Sequence, residues 1–376
     1  MDFTKLEKYL DVLPELGIPV SDTAVTLGGK TVFRHSAGYA DAETKRPITN
    51  DDLYYVFSVS KITACVAAMR LVEEGKIALD DPVSKYLPAY AYLTVKDAKG
   101  NPVPAQNVMT VLHLFTMTGG LNYKINTAPI VRIQQSSEPT TLRLVNAFAE
   151  MPLEFEPGTR YLYSLCHDVL AAVVEVASEM RFADYVQKYI FDPLEMKNTG
   201  YHLPEELRPR LWTYYTYTNQ LMTATPAPVD LQYILSDVYD SGGAGLYSSV
   251  DDQIKLMTAL ACGGTSPNGY RLLKPETVNM MTVNRLPDCA RPQFGATRLF
   301  GYGWGLCGRV HVNPLASNSR STVGEFGWDG ATGSYALVDT QKQLALYFGT
   351  HVRSCNYVYH TVHPMVCDLT YEALEK

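Results

Sequence analysis

The chain carries strand-like sequence at both ends and helical sequence between them, and no other feature restricts its fold so strongly. Near the start, residues 22–27 and 31–35 read as two short strands joined by Gly28-Gly29, a hairpin signal. Near the end, residues 334–339 and 343–350 are again β-rich, and 357–374 has the pattern of a closing helix. In the middle, residues 58–74 set Ile62, Cys65, Val66, Met69 and Val72 at helical spacing, with Gly75 as the stop. A second helix is predicted over 167–180, with Leu170, Val173, Val174 and Ala177 on its inward face. Loops rich in Pro, Gly, Thr and Tyr fill 87–107 and 201–229. These signals predict an α/β chain of the α+β kind, in which helices flank an antiparallel sheet built from both ends. Residues 1–376 read as one domain, with a sheet lobe at approximately 1–57 and 290–376. A mainly helical lobe at approximately 58–289 completes it, with a cleft where the lobes meet.

Composition excludes several classes. At 376 residues, 46% hydrophobic and 19% charged, the chain can bury roughly 75% of its unfolded surface, enough for a water-excluding cleft. A net charge of -7 argues against a nucleic-acid partner, which would call for a basic face. No run approaches the ~18 apolar residues of a membrane span. The first residues are acidic and mixed rather than basic and then apolar, so no secretion signal is expected. The seven cysteines form no Cys-x-x-Cys pair, so neither a disulfide framework nor a thiolate metal site is expected. We therefore expect a cytoplasmic protein working without metal or cofactor; the sequence carries no signal of oligomeric state.

Ser58-Val59-Ser60-Lys61 places a Ser-x-x-Lys element at the start of the first strong helix. Residues three apart share a helix face, so the Lys61 amine can reach the Ser58 hydroxyl. A helix start also offers unpaired N–H groups and a positive dipole end to a nucleophile and its oxyanion. The plainer reading makes Ser58 an N-cap and Lys61 a solvated residue. Against it, the aromatic run from Leu53 to Phe57 leads straight into the motif, which occurs once among nineteen serines.

The surrounding text resembles the serine β-lactamase-like family, which includes class C β-lactamases, D-Ala-D-Ala carboxypeptidases and family VIII carboxylesterases. The resemblance runs through Gly38-Tyr39-Ala40-Asp41, Phe57 to Lys61, Leu71 to Lys76, Asp80 to Val83 and residues 109–121. It continues through Pro157-Gly158, Tyr161 to Ser164, Pro193 to Gly200 and Gly243 to Ser248, in the family's order. It implies a β-lactamase/transpeptidase-like fold. It also implies Ser58 as acyl-accepting nucleophile, Lys61 beside it, and Tyr163 as the tyrosine of the second motif. Trp328-Asp329-Gly330 would be the third motif and line the substrate site, with the N–H groups of Ser58 and Ala331 as oxyanion hole. The chemistry is coherent in itself: a lysine beside a tyrosine makes a coupled pair either member of which can take the serine proton.

Two departures bear on substrate. Leu165 stands where the lactamase pattern has an asparagine that holds an acylamido group, and Trp328 where it has a carboxylate-binding lysine. Trp328 is expected to be an apolar wall, and Asp329 beside it to repel an anion. Both favour a neutral, apolar acyl or alcohol group, as in family VIII carboxylesterases. Hydrolysis of short-chain carboxylic esters with weak or absent β-lactam turnover is therefore expected, on a small-molecule ester or amide substrate. A β-lactamase, D-Ala-D-Ala carboxypeptidase or D-aminopeptidase would need a cation from elsewhere, with Arg309 and Arg353 as candidates, and an acyltransferase is a close sibling. From the cluster Trp212, Tyr214, Tyr215 and Tyr217, we expect Tyr215 to line the acyl pocket. Three further signals are set aside: Gly28-Gly29-Lys30-Thr31 as a hairpin turn rather than a phosphate loop, His360-Thr361-Val362-His363 as packing, and His167-Asp168 as structural. No Gly-x-Ser-x-Gly elbow occurs.

Overall fold

The computed structural model describes residues 1–297 and 299–375. Seven strands form the main sheet: β1 (Val20–Leu27), β2 (Lys30–Gly38), β3 (Tyr302–Trp304), β4 (Arg309–His311), β5 (Phe326–Gly327), β6 (Tyr335–Asp339) and β7 (Leu344–Thr350). Their order is β3-β4-β5-β6-β7-β1-β2, antiparallel throughout. The first strand thus lies between the last and the second, with Ala24 opposite both Tyr347 and Arg34. Gly28 and Gly29, at φ 56° and 79°, make the β1–β2 turn in the left-handed region that a two-residue hairpin needs.

Strands β6 and β7 are buried at every position, whereas the edge strand β2 is largely half-exposed. A half-solvated antiparallel sheet would alternate, so helices cover both faces at the centre. Helix α1 (Ser60–Glu73) packs against α2 (Cys166–Ser178), α3 (Val250–Ala261) lies on β1 and β7, and α4 (His363–Glu375) closes the chain against β7. Helix α3 falls inside the stretch expected to build the helical lobe, yet it packs on the sheet. Helix α1 is buried continuously from Ser60 to Met69 rather than along one stripe. Small residues (Thr63, Ala64, Ala67, Ala68) let neighbours approach it from all sides. The loops expected at 87–107 and 201–229 contain short paired strands, Thr94–Lys96 with Pro102–Pro104 and Tyr215–Thr218 with Thr223–Pro226. No described helix is long and apolar enough to cross a membrane.

Candidate active site

The approach to Ser58 is a strand, a strained turn and a helix. Tyr54–Tyr55 pairs with Leu246–Ser248, and a tight turn over Phe57–Val59 leads into α1 at Ser60. Phe57 holds φ at +47°, a conformation unusual for a bulky residue and one that the surrounding packing must impose. Ser58 therefore sits on the turn just ahead of the α-helix. Lys61 Nζ donates to Ser58 Oγ at 3.2 Å and to the Gly243 carbonyl at 2.7 Å. Lys61 is 1% exposed, and its Nζ lies 4.8 Å from the centre of the Tyr163 ring. The sequence thus brings serine, lysine and tyrosine to one point.

Ser58, Tyr163, Leu165 and Ala331 line one cavity of about 170 Å³, walled further by Phe57, Tyr123, Tyr233 and Ala244. Its remaining lining is Asp168, Ser241 and Gly243. Among the described residues neither the Ser58 nor the Ala331 N–H donates to another backbone group, as two oxyanion donors require.

The third motif is placed differently from expectation. Trp328 is not a wall of the cavity: it is buried behind Tyr163 and its indole N–H donates to the Tyr163 hydroxyl at 2.9 Å. Trp304 packs against both rings, its ring centre 4.5 Å from Trp328 and 6.0 Å from Tyr163. Asp329 does not face the cleft either. It lines a separate cavity with Tyr359 and His363, its carboxylate 4.0 Å from His363 Nδ1, so it exerts no close repulsion on a substrate. Gly330 contacts protein rather than cavity, because a Cβ there would stand 2.4 Å from the Val56 carbonyl. Tyr215 is also corrected. Its strand pairs with Val352–Arg353, its N–H donates to the His351 carbonyl, and it is 2% exposed. Trp212 stacks on Tyr54 at 4.6 Å, so the aromatic cluster builds the frame behind the nucleophile and not its pocket.

Neither candidate arginine reaches the cavity lining. Arg309 is buried in an ion pair with Glu325 at 2.8 Å, and Arg353 lies 3.4 Å from Asp230. Residues missed at the sequence level are Tyr123, Tyr233, Ser241, Gly243 and, most of all, Asp168. Of the His167-Asp168 pair, His167 turns away from the cavity, its Nε2 donating to the Phe115 carbonyl. Burial and then the Lys61 charge push His167 down to about 3, so it stays neutral. Asp168, one turn along the helix from Leu165, is 2% exposed and does line the cavity. Burial raises its carboxyl above the ordinary range, opposed first by Lys61 and then by hydrogen bonds from Ser241 and Tyr239. In sequence its signal is only the nearness of His167-Asp168 to Tyr163, a pair that reads as structural. The 239–243 segment that completes the arrangement is remote in sequence.

A family model described as Beta-lactamase matches residues 6–353. Protein Rv1367c of Mycobacterium tuberculosis is 30% identical over 326 residues, covering 83% of this chain and 80% of that protein. Esterase EstB of Burkholderia gladioli is 29% identical over 359 residues, covering 86% and 83%. Among solved structures, EstCE1, described as a hydrolase with promiscuous acyltransferase activity, superposes with a TM-score of 0.81. It is 25% identical and covers 98% of each chain.

Proposed function

Because the chain belongs to the beta-lactamase family, we propose that it is a serine carboxylesterase that cleaves short, uncharged acyl esters through an acyl-enzyme on Ser58. The observation that carries this reading is the cavity lining. Among the described residues no Lys, Arg or His lines the cavity that holds Ser58, the Lys61 amine standing behind Ser58 Oγ outside that lining, and the charged group within the lining is the acidic Asp168. A β-lactam or peptide C-terminus would bring its carboxylate to a site with nothing in that lining to grip it, beside a like charge. Leu165 at the wall favours an apolar acyl or alcohol group.

In the proposed reaction Ser58 Oγ attacks the ester carbonyl as its proton passes to the Lys61–Tyr163 pair. The carbonyl oxygen, now an oxyanion, takes hydrogen bonds from the Ser58 and Ala331 N–H groups. As the intermediate collapses, the C–O bond to the alcohol breaks and Tyr163 returns the proton to the leaving alkoxide. Water then repeats the sequence on the acyl-enzyme and releases the acid. An alcohol in place of water would give acyl transfer; the likeness to EstCE1 supports that second reading. The seven free thiols suit a reducing compartment such as the cytoplasm.

Initial rates of the wild type and Ser58→Ala on p-nitrophenyl acetate, butyrate and octanoate, with nitrocefin alongside, test the proposal. Ester turnover should exceed nitrocefin turnover and disappear in the variant, and a fluorophosphonate should label Ser58. Faster nitrocefin cleavage, or esterase activity surviving loss of Ser58, would overturn it.

A further inference from the structure

Asp168 is a buried carboxylate in the cavity, and no step of the acyl transfer itself uses it. Its Oδ1 accepts three hydrogen bonds, from Tyr239 Oη at 2.9 Å, Ser241 Oγ at 2.6 Å and the Gly243 N–H at 3.4 Å. All three donors belong to one segment, and that segment carries the Gly243 carbonyl that accepts from Lys61 Nζ at 2.7 Å. The segment is pressed tightly onto α2. A Cβ on Gly243 would stand 2.4 Å from Asp168 Oδ2, and one on Gly242 would stand 2.5 Å from the His167 carbonyl. One carboxylate therefore holds the residue whose carbonyl accepts from the lysine, directly at the Gly243 N–H and through Ser241 Oγ, which accepts from the Ala244 N–H of the next peptide at 3.0 Å.

The charges point the same way. The titratable groups acting on Asp168 or acted on by it are Lys61 on α1, Cys166 on its own helix, and Tyr90, Tyr123, Tyr201 and Tyr239 from the elements around it. Burial pushes the four tyrosines well up and Cys166 to about 11, so all stay neutral near pH 7. Lys61 and Asp168 are the two formal charges in the group, and each is nearly excluded from solvent. Two such charges are tolerated because each offsets the other's field. Leu165, where a polar side chain could have served the lysine, contributes nothing polar.

We propose that Asp168 is a positioning residue for Lys61, fixing the carbonyl that anchors the amine and supplying its counter-charge; this rests on the acyl-enzyme reading above. Asp168→Asn separates the two roles, because an amide oxygen can keep the three donors of Oδ1 while the negative charge is lost. Asp168→Ala removes both. The readout is the rate of fluorophosphonate labelling at Ser58 across the pH range, with thermal melting recorded for each variant. Asp168→Asn should melt close to the wild type and label at least tenfold more slowly. The lower limb of its pH profile should move down by about one unit, since losing a nearby negative charge eases proton loss from any group that acts as base. Asp168→Ala should lose labelling further and melt lower. An Asp168→Asn profile lying on that of the wild type along the pH axis would overturn the proposal, whatever its plateau, because a structural role alone moves no limb. A wild type that takes up no probe, or a Ser58→Ala protein labelled equally well, removes the acyl-enzyme reading and this one with it. A labelled wild type with an unmoved Asp168→Asn limb removes this one alone.

Discussion

At the scale of single residues, the tyrosine is held by a tryptophan. Trp328 Nε1 donates to Tyr163 Oη at 2.9 Å, and Trp304 packs against both rings. A hydrogen bond to an oxygen that carries charge during proton transfer is worth about 1.5–3 kcal/mol, more than the same bond to a neutral phenol. Trp328→Phe keeps most of the packing and removes the donor. Its kcat on p-nitrophenyl butyrate should fall about ten- to a hundredfold, with KM little changed. A rise in KM alone, with kcat unchanged, would return Trp328 to the role of a pocket wall. This is also where sequence reading reached its limit. Ser58 and Lys61 were legible because three residues of helix bring them together, and Tyr163 and Trp328 because their motifs stand in a recognisable order. Which atom Trp328 presents, and to which neighbour, depends on a fold that joins residues 165 positions apart. Tyr215 was misplaced for the same reason: an aromatic-rich loop looks alike whether it frames a cavity or backs it.

At the scale of elements, the site depends on how closely two segments approach. Gly330 lies one residue before Ala331, Val56 two residues before Ser58, and a Cβ on Gly330 would stand 2.4 Å from the Val56 carbonyl. The spacing between the two proposed oxyanion donors is thus set by contact between the third-motif segment and the approach to Ser58. Gly330→Ala must push these segments apart. Loss of one oxyanion donor typically costs about 10²–10³ in rate, and we expect a loss of that order in acylation, measured as the fluorophosphonate labelling rate. Labelling as fast as the wild type would show that the spacing is fixed elsewhere. The elements that carry this contact differed in how plainly the sequence announced them. The β1–β2 hairpin, α1, α2 and α4 were readable from local turn and periodicity signals. The two-residue strand Tyr54–Tyr55 is legible in the aromatic, strand-like run from Leu53 to Phe57, but its partner Leu246–Ser248, itself paired with Gly200–Tyr201, is too short and too distant to signal the pairing. Helix α3 was passed over as part of the helical lobe, though β1 and β7 are what it covers.

At the scale of the whole molecule, the sheet made from both chain ends is tied to the approach of the nucleophile by one histidine. His351 follows β7 directly. Its Nδ1 donates to the Trp212 carbonyl at 3.1 Å, and its own carbonyl accepts from the Tyr215 N–H at 3.0 Å. Its ring packs against Tyr54, Tyr55 and Tyr214. Nε2 is buried with no hydrogen-bond partner among the described residues, so a proton there would create an unpaired cation. Burial accordingly holds His351 down, from the ordinary 6.5 to about 4, against the raising effect of the Trp212 and Thr213 backbone. The sign follows from proton counting. Below pH 6.5 the unfolded chain takes up a proton that the folded chain refuses until about pH 4, so this residue's contribution to stability is complete above 6.5. It is lost progressively as the pH falls toward 4. Between pH 7.5 and pH 5 the loss amounts to about 2 kcal/mol. His351→Gln, which can donate to the Trp212 carbonyl but does not titrate, isolates that share from the carboxylates that titrate over the same range. The stability advantage of the wild type over His351→Gln, from urea unfolding, should shrink by about that amount on going from pH 7.5 to pH 5. A difference that stays constant with pH would mean that the ring gains access to water or to a partner when it is charged. The junction between the sheet and the nucleophile's approach would then be looser than the packing of Tyr54, Trp212 and His351 requires.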